Sequence, residues 1–191
     1  VIDMLVDNSG NKWVRSRSGG VVALNRDNTQ FKNVSTPEGS GGLPSPIVNC
    51  MALDKQGALW IGTNEGPAVF FNPNVVFTRD RFDAQQIKIQ QEQFVGFLLG
   101  NEVVTAIAVD GADRKWFGTT NGVWLFSADG TRQIHHFTRE NSPLLSNIIT
   151  SLAIHPQTGE VFIGTDRGVI SYRGTATEGV NVHSDVQVFP N

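Results

Sequence analysis

The sequence predicts an all-β chain built of four-stranded antiparallel β-propeller blades, about four repeat units of them. Three observations carry this. Aromatic residues recur at Trp13, Trp60, Trp116 and Phe162, spaced 47, 56 and 46 residues apart, within the period expected of propeller blades. Trp60-Ile61-Gly62-Thr63, Trp116-Phe117-Gly118-Thr119 and Phe162-Ile163-Gly164-Thr165 match one another, and Trp13-Val14-Arg15-Ser16 is a degenerate copy. Asx and glycine turn signals separate short runs of β-branched and apolar residues, a pattern that excludes helical repeats of similar length.

The unit reads in order as follows. The first strand ends at an aspartate six positions before the tryptophan (Asp7, Asp54, Asp110), whose side chain accepts backbone hydrogen bonds and opens a tight turn. In the fourth unit His155 stands there, one place further out, because Pro156-Gln157-Thr158-Gly159 lengthens the turn. This first strand is expected to be innermost, since its central residues, Leu5, Ala52, Ala108 and Ala153, are mostly small and suit crowding around a narrow axis. The tryptophans are then expected to fill the space between blades. A glycine six positions after each aromatic (Gly19, Gly66, Gly122, Gly168) turns the chain into a third strand, and Phe31, Phe77, Phe137 and the run Val186 to Phe189 mark the fourth. The units run about 1–46, 47–102, 103–147 and 148–191, with an insertion at 78–102. Val1 aligns with Val48, Val104 and Ile149, so the first unit starts inside an innermost strand and a larger propeller is expected; a four-bladed ring or self-association through open blade edges are the alternatives.

Composition narrows the function classes. The 191 residues carry a net charge of −3, which argues against nucleic acid as a partner. No apolar run approaches the roughly 20 residues of a membrane span. The single cysteine, Cys50, has apolar neighbours and reads as a small core side chain. No cofactor is expected, and no metal: His135, His136, His155 and His183 lack ligand spacing. The row His183-Ser184-Asp185 is not a triad, because strand neighbours point to opposite faces. Gly39-Ser40-Gly41-Gly42 lacks the lysine of a phosphate loop and reads as a flexible connection between blades.

The best functional candidates lie on the connections. Those leading into each innermost strand, and the turns holding Asn64-Glu65, Thr120-Asn121 and Asp166-Arg167, are expected to share one face, a common rim on which binding would be built. Within the insertion, Arg79, Arg81 and Phe82 offer cations beside an aromatic, suited to phosphate or carboxylate groups on a glycan. The candidate ligand residues are therefore Asn64, Arg79, Arg81, Phe82, Asn121, Asp166 and Arg167; the rest of the insertion, Phe94 to Leu99, is apolar enough to be a packed strand. No catalytic residue is assigned. A polysaccharide-degrading enzyme would need facing carboxylates, for which only Glu65, Asp80 and Asp166 are available.

The pattern Asp-x-x-Gly-x-x-Trp-Ile-Gly-Thr-x-x-Gly-Val, which the second unit follows except at Pro67 and the third except at Asp113 and Phe117, resembles the two-component-regulator propeller repeat of Bacteroidetes proteins, as does the linker-like segment Asn141 to Thr150. Asp83 to Lys88, Val109 to Trp116, Gly168 to Thr177 and the terminal Phe189-Pro190-Asn191 together resemble the second propeller of PorZ-like proteins of the type IX secretion system. That resemblance implies an exported accessory at the cell surface, outer membrane or periplasm, without catalysis, that binds anionic lipopolysaccharide and presents it to a partner sortase. The same repeats occur in hybrid two-component histidine kinases, so a periplasmic ligand-sensing propeller is the alternative it implies. No binding residues are carried over by either.

Overall fold

A computed structural model describes residues 3–16, 19–91, 94–174 and 176–177. Four antiparallel sheets follow one another along the chain. Blade 1 comprises β1 (Asp3–Val6), β2 (Lys12–Arg15), β3 (Val21–Leu24) and β4 (Phe31–Val34). A short β5 (Ser40–Gly41) precedes blade 2, which holds β6 (Val48–Leu53), β7 (Leu59–Thr63) and β8 (Gly66–Phe70). The insertion begins earlier than the expected residue 78, soon after β8, and forms a one-turn helix α1 (Val75–Thr78), β9 (Phe82–Asp83) and a hairpin of β10 (Lys88–Gln91) and β11 (Phe94–Phe97). Blade 3 comprises β12 (Val104–Val109), β13 (Lys115–Thr119), β14 (Gly122–Phe126) and β15 (Gln133–Phe137). Blade 4 holds β16 (Ile149–Ile154), β17 (Glu160–Thr165) and β18 (Gly168–Arg173).

The register makes the repeat physical. Leu5 pairs with Trp13, Ala52 with Trp60, Ala108 with Trp116 and Ala153 with Phe162, so one small or modest residue faces each aromatic across the first strand pair. The first strands pack in the order β1, β6, β12, β16, which places them innermost. Trp13, Trp60 and Trp116 are buried and turn toward the following blade, meeting Phe70, Phe117 and Tyr172 at ring distances of 5.9, 5.9 and 5.7 Å. Three apolar clusters result, one between each pair of successive blades. Phe162 points by the same rule to the far side of blade 4 and is 39% exposed; Met4 and Val6 are exposed on the opposite flank, at blade 1.

Each aspartate does more than open a turn. Asp7 Oδ1 accepts the N–H groups of Ser9 and Asn11, while Oδ2 accepts the indole N–H of Trp13 at 2.9 Å. Asp54 does the same for Gln56, Ala58 and Trp60, and Asp110 for Ala112, Arg114 and Trp116. A buried indole N–H needs an acceptor, and the six-residue spacing supplies one from the same hairpin. Phe162 has no N–H to satisfy, which is why His155 can stand in the fourth unit, where its Nδ1 accepts from Thr158 N.

The glycine after each tryptophan has a different cause. A Cβ on Gly118 would lie 2.6 Å from Cγ2 of Ile149 in blade 4, and one on Gly62 would lie 2.8 Å from Cγ1 of Val104 in blade 3. Adjacent blades could not close with a side chain there. The carbonyl that begins the next inner strand is also held from the preceding blade: Asn49 Nδ2 donates to Val104 O, and Thr105 Oγ1 to Ile149 O. In the degenerate first unit Arg15 occupies the glycine position and its Nη1 reaches Val48 O at 3.3 Å, so the departure from the motif still clips the blades together.

Four expectations are corrected. Phe77 lies in α1, not in a strand; blade 2 has three strands, and its fourth is reduced to the bridge of Gln85 with Val69 (2.8 and 2.9 Å), because the chain turns into α1 before reaching the sheet edge. Gly20, not Gly19, is the counterpart of Gly66 and Gly122, because the turn of the first unit carries one extra residue: Trp13 pairs with Ala23, ten positions on, whereas Trp60 pairs with Val69, nine on. Gly20, Gly66 and Gly122 all have positive φ and donate to the linker entering the next blade, at Pro46 O, Glu102 O and Asn147 O. The run Gly39 to Gly42 is no loose tether, since β5 pairs in parallel with β9 and both carboxylate oxygens of Asp83 accept from Gly39 N. The expected packed strand at Phe94 to Leu99 is a hairpin arm with Val95 and Phe97 exposed, while Leu98 and Leu99, past its end, enter the core. The expected strand Val186 to Phe189, Val1, and His183, Ser184 and Asp185 lie outside the described residues.

Asp54 gives the fold an acid-sensitive point. Burial disfavours its charged form, but the Trp60 indole, Ala58 N–H and Lys115 ammonium outweigh that and hold its pKa below the ordinary 3.8. A depressed carboxylate contributes stability that is present above its unfolded pKa and lost as pH falls through the folded one. The urea midpoint should therefore fall as pH drops below about 4, and less so in Asp54→Asn. Equal acid sensitivity in both proteins would assign the loss to other carboxylates.

Candidate functional site

The rim turns emerge beside the linkers, as expected. Asn64 N donates to Ile47 O at 3.2 Å and Asp166 N to Ile148 O at 3.3 Å. In each turn a threonine organises the backbone: Thr63, Thr119 and Thr165 donate to the carbonyls of Gly66, Gly122 and Gly168 and accept from Glu65, Asn121 and Arg167 N–H. Two of the rim candidates are already committed. Asn64 Oδ1 accepts from Asn49, while Asn121 Nδ2 donates to Glu102 and its carbonyl meets His136 Nε2 at 2.8 Å. Asp166 and Arg167 are exposed at the tip of the β17–β18 turn. Glu65, Asp80 and Asp166 sit on different elements, Glu65 on a blade 2 turn, Asp166 on a blade 4 turn and Asp80 after α1. Among the described residues no group of three His, Cys, Asp or Glu could hold a metal ion.

Arg79 and Arg81 do not join that rim. The insertion starts at the opposite end of the blades, where Asn74 bonds Ser9 and Asn11 in the β1–β2 turn, and then climbs the outer edge of blades 1 and 2. Two clefts of about 360 and 470 Å³ open along this edge and share Arg79. The first is lined by Phe71, Arg79, Arg81 and Asp83; the second by Phe31, Lys32, Arg79 and Asp80. Phe31 and Phe71 are 69% and 53% exposed. Phe82 is corrected: it borders the first cleft, but at 6% exposure most of its ring is buried in the core between blades 1 and 2, where it anchors β9 directly after the arginines.

The electrostatics of this edge are mixed. Arg81 pairs with Glu38 at 3.4 Å on the open surface, a contact contributing about 0–1 kcal/mol. Asp83 is taken up by Gly39 N. The side chains of Arg79 and Lys32 have no ion pair among the described residues, which leaves two cations flanked by exposed rings. Lysine and phenylalanine at a strand end give no sequence signal for a groove; α1, which leads Arg79 into the cleft that Lys32 lines, is what creates it.

A second constellation was not foreseen at all. Lys115 is fully buried, with its ammonium 3.1 Å from Asp54 Oδ2, 3.2 Å from Asp113 Oδ1 and 5.4 Å from the centre of the Trp60 ring. It inserts from blade 3 into the aspartate–tryptophan clamp of blade 2. The other clamps receive their extra donor locally, Asn11 Nδ2 on Asp7 Oδ2 and Arg114 Nε on Asp110 Oδ2. Cys50 is also structural: burial pushes its thiol up to about 12, so it is neither nucleophile nor ready ligand at neutral pH.

The family described as two component regulator propeller matches residues 42–65, the stretch holding the Asp54–Trp60 clamp and the Gly62-Thr63 turn. Residues 42–65 thus carry a propeller repeat of the two-component-regulator type. Among solved structures it is similar to PorZ of Porphyromonas gingivalis, an essential bacterial surface component of the type IX secretion system, at 29% identity and a TM-score of 0.79 over 93% of this chain. It is similar as well to the extracellular domain of BT3049, described as a hybrid two-component system of B. thetaiotaomicron, at 25% identity and a TM-score of 0.66 over 91% of this chain. The chain spans 26% and 21% of those two structures. An ancestral GH74 enzyme, 13% identical with a TM-score of 0.63 over 92% of this chain and 23% of its own, shares the fold alone. Comparison with curated proteins finds no match. No helix among the described residues is long and apolar enough to cross a membrane.

Proposed function

We propose that this propeller is a non-catalytic binding module of an exported bacterial protein, displayed at the cell surface, and that it holds an anionic glycan such as lipopolysaccharide at the Arg79 groove. A partner protein, a sortase in the reading that the repeat resemblance implies, would receive the glycan from it. The carrying observation is the pair of clefts joined at Arg79, where Lys32 and Arg79 stand without ion pairs between the exposed rings of Phe31 and Phe71. Cations of this kind make charge-assisted hydrogen bonds to phosphate and carboxylate, and the rings offer apolar faces to sugars. The likeness to PorZ, itself a surface component, supports the setting.

The test is binding of purified anionic lipopolysaccharide to the full-length natural protein. Lys32→Ala/Arg79→Ala should weaken it at least tenfold, since each charge-assisted contact contributes about 1.5–3 kcal/mol, and added salt should weaken the wild type more than the double variant. Unchanged affinity in the double variant, or no binding by the intact protein, would overturn the reading. The likeness to the BT3049 extracellular domain favours one other function, a ligand-sensing propeller of a hybrid histidine kinase. A membrane helix and kinase domain in the same gene product would decide for it.

A further inference from the structure

The Arg79 groove does not stop at its cations. The cleft that holds Arg79 and Arg81 shares Phe71 and Asn72 with a third hollow, of about 280 Å³, where the insertion leaves blade 2 beside the β1–β2 and β6–β7 turns. Three clefts thus run in series from Lys32 to Asn8, the first and second joined at Arg79 and the first and third at Phe71. The third falls just below the ~300–1,000 Å³ of small-ligand sites, so it adds room for one ring to the groove.

Its chemistry differs from that of the other two. No lysine or arginine lines it, and its one carboxylate, Asp7, is buried with Oδ1 accepting from Ser9 and Asn11 and Oδ2 from Asn11 and Trp13. What remains is neutral amide. Gln56 and Asn74 are held, the first by Asp113 and the second by Ser9 and Asn11, and fix the walls. Asn8 and Asn72 are exposed and unspent: the Asn8 side chain has no hydrogen-bond partner among the described residues, and Asn72 uses only its Oδ1, which accepts from Asn74 N at 3.2 Å. Asn8 lies over Gly57, where a Cβ would come within 2.8 Å of its Nδ2. A free carboxamide offers donors and an acceptor together, which matches adjacent hydroxyl groups, and it brings no charge for a phosphate or carboxylate to pair with. Phe71, 53% exposed, gives the junction an apolar face.

We infer that the groove takes a glycan chain rather than a single anionic unit. The charged residue of the chain lies among Lys32, Arg79 and Arg81, and the neutral sugar next to it passes Phe71 and sets its hydroxyls on Asn8 and Asn72. The inference rests on the Arg79 reading and narrows its ligand to a chain in which a neutral sugar adjoins an anionic one.

The experiment is calorimetric titration of the full-length natural protein with the delipidated polysaccharide of anionic lipopolysaccharide, so that any affinity belongs to the sugars. Asn8→Ala/Asn72→Ser removes both free amides, while the serine keeps an acceptor for Asn74 N and so holds the entry to α1. This variant should bind about 3- to 10-fold more weakly and keep the salt dependence of the wild type, because the lost contacts carry no charge. Lys32→Ala/Arg79→Ala should weaken binding and flatten that dependence. Bound polysaccharide should also slow hydrogen exchange in the turns at 7–11 and 54–58. Wild-type affinity in the amide variant, with exchange in those turns unmoved, would overturn the chain reading and leave the Arg79 groove standing. A loss in the amide variant with none in the cation variant would overturn the groove and keep the sugar on the amide cleft. Binding of intact lipopolysaccharide without binding of its polysaccharide would overturn the chain reading, and binding of neither would overturn both.

Discussion

Asp54→Ala should lower the stability of the propeller by about 3–5 kcal/mol, the range seen when one partner of a buried ion pair is removed. One carboxylate satisfies four donors: the N–H groups of Gln56 and Ala58, the indole of Trp60 and the ammonium of Lys115. Removing it strands a fully buried cation between two blades, and the flanking Asp113 replaces only part of the attraction. Lys115→Met should cost less, about 1–3 kcal/mol, because Asp54 keeps its three other donors and the methionine stem still fills the space beside Trp60. Urea unfolding of the two single variants and the double variant measures this. The account expects a coupling of about 1–3 kcal/mol between Asp54 and Lys115, and additive losses would remove the inter-blade ion pair from it.

Gly118→Val should have the second largest effect, about 2–3 kcal/mol or more. Its Cβ would lie 2.6 Å from Cγ2 of Ile149 and 3.3 Å from Cβ of Ala106, so blade 4 must move away from blade 3 or β13 must shift in its sheet. Either motion opens the cluster of Trp116, Leu125, Ile149 and Ile163. Gly96 on the β11 hairpin is the matched control, since a Cβ there meets nothing within 4 Å and Gly96→Ala should be nearly neutral. Thermal unfolding of both variants checks the contrast. A Gly118→Val protein as stable as wild type would show that close blade approach is not what the Gly-Thr motif provides.

These two predictions rest on positions the sequence displayed with different clarity. Asp54 and Gly118 recur at fixed distances from tryptophans, and recurrence is readable without any coordinates. Their reasons were only partly readable: the aspartates were expected as turn formers, whereas their second oxygen serves the indole six residues on. Lys115 was invisible because its partner is 61 positions away in another blade, and nothing local distinguishes a lysine aimed into a clamp from one aimed at water. Phe77 and Phe82 failed for the same kind of reason. Both belong to an insertion whose path is set by tertiary contacts of Asn74 with the β1–β2 turn and of β9 with β5, so pattern matching to a fourth strand had nothing true to match.

The candidate site divides the same way. Its cations, Arg79 and Arg81, are legible as an unusual pair in an overlong connection, and the rim turns lie beside the linkers that enter the inner strands. What could not be read was that the two sets lie apart, or that Lys32, 47 positions before Arg79, shares its cleft. Asn64 and Asn121, both rim candidates, are bonded to Asn49 in β6 and to Glu102 just before β12.

The most direct test of the account is a hydrogen-exchange footprint of anionic lipopolysaccharide on the full-length natural protein. Binding at the edge of blades 1 and 2 predicts slowed exchange in residues 29–32 and 71–83, with the turns at 63–66, 119–122 and 165–168 unchanged. Protection of those turns with none at the edge would contradict it and return the binding face to the rim.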